Sequence, residues 1–127
     1  VSTLKVTGQG FSETVKSGIV VLDWWASWCG PCRTFEPVFE KASTDHPDIV
    51  FGKVNTDEES ELSETFGIRA IPTLMIFRDG ILLFNQAGML QADQLNELLN
   101  RARTLDMETI RRQIADEAKK VEPSKES

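Results

Sequence analysis

The sequence has only two cysteines, one histidine (His46) and no tyrosine in 127 residues. A small secreted scaffold stapled by disulfides carries more cysteines, scattered along the chain. Here Cys29 and Cys32 stand three residues apart, and the loop they would close is too small to staple anything. Their proximity points to chemistry. No apolar run reaches the roughly 18 residues that a membrane helix needs. The stretch Val1-Ser2-Thr3-Leu4-Lys5 lacks the basic segment and apolar run of a signal peptide, although a longer precursor stays open. Basic residues are also short: 14 against 20 acidic, a net charge of −6. That balance argues against nucleic acid and against anionic membrane surfaces as partners. What is present, 40% hydrophobic and 27% charged residues, is an ordinary globular composition at a length that suits one domain.

The hydrophobic pattern alternates between strands and helices. Val1 to Val6 is a candidate edge strand, and Gly10 to Ser17 a short helix with Phe11 and Val15 on one side. Ile19-Val20-Val21-Leu22 is apolar without alternation, as expected of a strand buried on both faces, and continues through Asp23, Trp24 and Trp25. A helix follows, with Phe35, Val38, Phe39 and Ala42 on one face, Pro37 inside it and Pro47 beyond its end. Ile49 to Val54 reads as a strand, and Asp57 as the N-cap of a helix over 58–66 that Gly67 closes. Thr73–Phe77 and Ile81–Phe84 form a hairpin about Asp79-Gly80. Leu95, Leu98, Leu99 and Ala102 mark another amphipathic helix, starting at Gln91 or Asp93. The order β-α-β-α-β-α-β-β-α implies an α/β architecture: one mixed sheet, parallel first, with an antiparallel edge and helices on both faces.

The cysteine pair sits where a helix opens. Residues i and i+3 of a helix have Cα atoms about 5 Å apart, within disulfide range. Cys29 falls at the N-terminus, where free N–H groups and the helix dipole stabilise a thiolate. Gly30 and Pro31 suit the first turn, and Cys32 lies one turn in, expected to be less exposed. Cys29 is therefore the candidate nucleophile and Cys32 the resolving thiol. Half of a zinc site is the competing reading, but it lacks a second cysteine pair, and His46 supplies only one further side-chain ligand. No metal is expected.

Asp23 is the anomaly, a carboxylate in an apolar strand six residues before Cys29. Burial raises the pKa of such a group unless it is paired. Lys53 in the next strand is the candidate ion-pair partner. The functional reading makes Asp23 a proton relay for Cys32, tuned by Lys53.

With Trp28-Cys29-Gly30-Pro31-Cys32 preceded by Asp23, and with Ile71-Pro72-Thr73 downstream, the sequence resembles the thioredoxin family over roughly 1–103. The resemblance implies the thioredoxin fold and a cis bond at Ile71–Pro72. It also implies a docking surface for extended substrate segments made by Trp28, Gly30, Pro31, Ile71, Pro72 and Gly88, Gly88 matching a family glycine that lines the groove. Trp24 and Trp25 are read as packing residues. Pro31 before the second cysteine looks like a reductase, since relatives that oxidise or isomerise often have histidine there. The implied activity is general protein-disulfide reduction in the cytoplasm, with protein disulfides as substrates and an NADPH-dependent thioredoxin reductase as recycling partner. NADPH and FAD belong to that partner; this chain has no glycine-rich dinucleotide fingerprint and is expected to bind no cofactor. An oxidase or isomerase, and a binding platform that uses the fold without its chemistry, are the rivals.

The sequence departs from the family in Trp24, in Glu36 before Pro37, and in the acidic run Asp57, Glu58, Glu59, Glu61, Glu64, read as a solvated face. Neither Trp24 nor Glu36 is expected to touch the chemistry. The largest departure is 104–127, read as a helical extension to the 1–103 domain. Met107, Ile110, Ile114, Ala118 and Val121 make a narrow stripe, Asp106 is a candidate cap, and Pro123 to Ser127 a disordered end. The protein is expected to be a monomer. Packing of the tail on the domain or fraying ranks above tail-mediated association.

Overall fold

The structure, a computed structural model, describes residues 3–121. Its elements are β1 (Thr3–Lys5), α1 (Phe11–Val15), β2 (Ile19–Trp25), α2 (Gly30–Asp45), β3 (Val50–Asn55), α3 (Ser60–Thr65), β4 (Thr73–Arg78), β5 (Ile81–Ala87), α4 (Ala92–Thr104) and α5 (Met107–Val121). The strands form one sheet in the order β1-β3-β2-β4-β5. β1, β3 and β2 pair in parallel; β4 runs antiparallel to β2, and β5 to β4. The direction therefore reverses within the sheet, between β2 and β4, and not only at the terminal hairpin. The mixed α/β sheet expected from the sequence is present.

β2 is central because its apolar run serves both faces. Val20, Leu22 and Trp24 join Phe11, Val15, Val54, Met75 and Phe77 under α1, with Leu62 and Phe66 packed against them. Val21 joins Phe35, Phe39 and Ala42 of α2 and Leu95, Leu99 and Ala102 of α4 on the other face. Full burial of Leu95 and Leu99 is worth about 1.5–3 kcal/mol each against exposure, which seats α4. At the β4–β5 turn Asp79 and Gly80 both take positive φ, 52° and 84°, as a two-residue hairpin of matching twist requires. One constraint has no periodic signature: a Cβ at Gly52 would lie 2.5 Å from Val6 Cγ2 and 2.9 Å from Leu22 Cδ2.

One helix start differs from expectation, and another resolves to the first of its two expected positions. α3 begins at Ser60, with Glu59 and not Asp57 at its N-cap. The Asn55 side chain accepts from the N–H groups of Asp57 (2.9 Å) and Glu58 (3.3 Å), which holds this stretch in a turn. α4 starts after Gln91, whose backbone N–H donates to Gln94 Oε1 at 2.9 Å.

The extension forms a helix, and Asp106 Oδ1 accepts the N–H of Glu108 at 3.1 Å. Met107 is buried and Ile110 half-buried, but Ile114 is 48% exposed and Ala118 exposed. The stripe packs on the domain only at its start. Arg78 fixes this junction: one guanidinium nitrogen donates to the carbonyls of Ala102 (2.8 Å) and Leu105 (3.1 Å). The expected disordered end, the side chain of Val121 and the first two residues of the expected edge strand lie outside the described residues.

Candidate active site

β2 delivers its last residues to one end of the sheet, and the chain turns there into α2. Cys29 is the N-cap of α2, in extended conformation, with Pro31 in the first turn. Cys29 and Cys32 are joined by a disulfide with Cα atoms 5.3 Å apart. The backbone N–H of Cys32 donates to Cys29 Sγ at 3.2 Å. A backbone N–H at that position and the positive end of a helix dipole both favour a negative charge on sulfur. Arg33 donates to the Ser27 carbonyl at 2.7 Å, tying the entry loop to the helix.

Exposure does not separate the two cysteines: Cys29 is 4% and Cys32 3% exposed, in one small cluster with Ala26 and with Trp25 and Ile71 packed against it. The expected difference in burial is thus corrected. What distinguishes the sulfurs is partners, because Cys29 Sγ has the helix N–H and lies 3.7 Å from the carbonyl oxygen of Ile71.

The downstream motif is brought to the cysteines by β4. Ile71–Pro72 is cis, and the Pro72 carbonyl accepts from Gly88 N–H at 2.8 Å. Gly88 has φ 101°, a backbone that suits glycine, and open space where a Cβ would project. Gly30 also has open space at its Cβ position. Trp28 is 67% exposed, whereas Trp24 is fully buried and Trp25 half-buried. The packing reading thus fits Trp24 and Trp25 and not Trp28. The Trp28 indole N–H donates to Asp57 at 3.0 Å, so Asp57 orients the exposed aromatic instead of capping α3. The sequence offered no spacing rule for that bond, since it crosses from the loop before α2 to the loop after β3.

Asp23 is 1% exposed, and its Oδ1 has no hydrogen-bond partner. Burial pushes its carboxyl up to about 7, while Lys53 opposes that rise and Glu36 and Glu40 add to it. Lys53 is its register neighbour on β3 but makes no ion pair with it. Lys53 Nζ instead binds Glu36 Oε2 at 2.7 Å and lies 4.8 Å from the centre of the Trp25 ring. The expected Asp23–Lys53 pair is corrected on this point: strand register makes them neighbours, but Glu36 from α2 takes the ammonium. Glu36 is therefore the residue that the sequence reading missed. Among the described residues no group of three or more histidine, cysteine or acidic side chains could hold a metal ion.

The family model for thioredoxin matches residues 2–101. The chain belongs to the thioredoxin family. It is 45% identical over 117 residues to putative thioredoxin 2 of Streptomyces coelicolor, covering 91% of this chain and 87% of that protein. That match reaches beyond the family domain into the extension. The thioredoxin of Bacillus subtilis is 35% identical, over 77% of this chain and 95% of its own. Among solved structures, a mutant thioredoxin from Halobacterium salinarum superposes with a TM-score of 0.76 at 31% identity, covering 83% of this chain and 94% of that one. Malassezia sympodialis thioredoxin superposes at 0.69 with 34% identity, covering 79% and 90%. With the Cys29–Cys32 disulfide at the start of α2, the chain is a thiol–disulfide oxidoreductase whose redox-active centre is that pair.

Proposed function

We propose that this thioredoxin is a general protein-disulfide reductase of the cytoplasm, recycled by an NADPH-dependent thioredoxin reductase. NADPH and FAD act in that partner; the electrons reach substrates through Cys29 and Cys32 alone. The observation that carries the reading is Cys29 Sγ at the N-cap of α2, held by the Cys32 N–H and facing the Ile71 carbonyl. In the reduced protein the Cys29 thiolate attacks one sulfur of a substrate disulfide. A mixed disulfide forms and the other substrate sulfur leaves as a thiolate. Cys32 then gives its proton to the Asp23 carboxylate and attacks Cys29 Sγ. The Cys29–Cys32 bond forms, the second substrate sulfur leaves, and two electrons have passed to the substrate. An acid with a pKa of about 7 suits this step, since it takes and releases a proton near neutral pH. The substrate segment docks in extended form beside Ile71 and Pro72, with Trp28, Gly30, Pro31 and Gly88 forming the rest of the surface.

Two measurements test the reading. Cys32→Ser incubated with a disulfide-bonded peptide should accumulate a one-to-one mixed disulfide on Cys29, and the unaltered protein should not. The reduction potential should be about −270 mV, the value ordinary for thioredoxins, whereas one near −120 mV would make the protein an oxidant.

A further inference from the structure

We propose that Glu36 is a positioning residue for disulfide exchange: it holds the Lys53 ammonium and so sets the charge that the buried Asp23 faces. The inference rests on the relay role given to Asp23 above. Asp23 and Lys53 are paired in register on β2 and β3, where alternation turns both side chains toward α2, as it does Val21 and Phe51. Glu36 reaches down from α2 to the same lysine. The Lys53 side chain is only 15% exposed and that of Glu36 is 51% exposed. A pair with one end this sheltered is screened less than an ordinary surface pair.

The geometry makes two carboxyls compete for one ammonium. Lys53 has the Trp25 ring 4.8 Å away and Glu36 2.7 Å away, while Asp23 Oδ1 has no partner. The charged groups bearing on Asp23 are Lys53 from β3 and Glu36 and Glu40 from α2; β4 offers Leu74 opposite. Glu40 is engaged elsewhere, accepting from the Thr3 hydroxyl at 3.0 Å. Lys53 also lines a groove of about 320 Å³ with Trp25, Asn55 and Glu58. The Lys53–Glu36 pair thus lies between a buried acid and water. Removing the Glu36 charge frees Lys53 for Asp23 and strengthens the attraction that already opposes the rise of its carboxyl.

The test follows the Asp23 carboxyl carbon by NMR against pH in the oxidised protein, in Glu36→Gln, Lys53→Gln and the double variant. Glu36→Gln should lower the Asp23 titration midpoint by about half a pH unit or more, and Lys53→Gln should raise it. In the Lys53→Gln background the Glu36→Gln shift should shrink by at least half, because the effect runs through the lysine. An unchanged midpoint in Glu36→Gln overturns the inference, and so does an equal shift with and without Lys53. The pH profile of disulfide reduction should move down with the midpoint in Glu36→Gln. Asp23→Asn separates the two readings. If that variant reduces disulfides at the native rate and profile, the relay fails whatever the NMR gives. If it slows and Glu36→Gln leaves midpoint and profile alone, only the role of Glu36 fails.

Discussion

Asp23 and Asp48 carry the same side chain and are driven in opposite directions. Asp23 lies in the central strand with one oxygen unpartnered, and burial pushes it up to about 7. Asp48 lies in the turn between α2 and β3, where Arg103 of α4 grips it through Nε and a terminal nitrogen, both at 2.8 Å. Those hydrogen bonds hold it down to about 2. The Arg103 guanidinium also meets His46 Nδ1 at 2.7 Å, and His46 Nε2 meets Asn96 at 2.8 Å. One aspartate thus sits in a satisfied network joining two helices to a turn. The other is left unsatisfied in the strand that leads to the redox centre. The difference separates residues that hold the scaffold from a residue that costs stability and fits a proton-transfer role.

Substituting each aspartate breaks the comparison from its own side. The largest effect should come from Asp23→Asn. The folded protein holds a proton on Asp23 that the unfolded chain releases above about pH 4, so stability falls as pH rises from there through about 7. A midpoint near 7 corresponds to about 4 kcal/mol of lost stability at pH 8, an upper bound on what the amide recovers. Urea unfolding of Asp23→Asn should therefore show a gain of a few kcal/mol at pH 8 that fades toward pH 4. A variant no more stable at pH 8 would put Asp23 in the same class as Asp48.

Asp48→Asn should do the reverse, and by less. Its carboxylate stabilises the fold above about pH 4, and that contribution is lost as pH falls toward 2. Because Asp48 is largely exposed, solvent screens the pair. The variant should have a slightly lower urea midpoint at pH 7 and match the unaltered protein at pH 2, with the rate of disulfide reduction unchanged.

Much of this organisation was legible in the sequence because it follows local rules. The unbroken apolar run Ile19–Leu22 marked a two-sided strand, Asp79-Gly80 a hairpin, and Cys29-Gly30-Pro31-Cys32 a helix start. The stripe on α5 was legible as a helix, although only Met107 of its described residues is buried. What escaped depends on elements meeting in space. Asp57 looked like a cap but serves the Trp28 indole, because Asn55 already holds the turn. Lys53 was placed beside Asp23 by strand register, yet a residue from α2 decides where its ammonium rests. Gly52 matters through a Cβ that Val6 and Leu22 leave no room for.

The central claim is that Asp23 takes the proton from Cys32. Its most direct test is the rate at which a preformed mixed disulfide on Cys29 resolves, measured from pH 5 to 9 in the unaltered protein and in Asp23→Asn. Resolution should be about tenfold or more slower at pH 7 in the variant, with the inflection near pH 7 gone. Equal rates and the same profile in both proteins would contradict it.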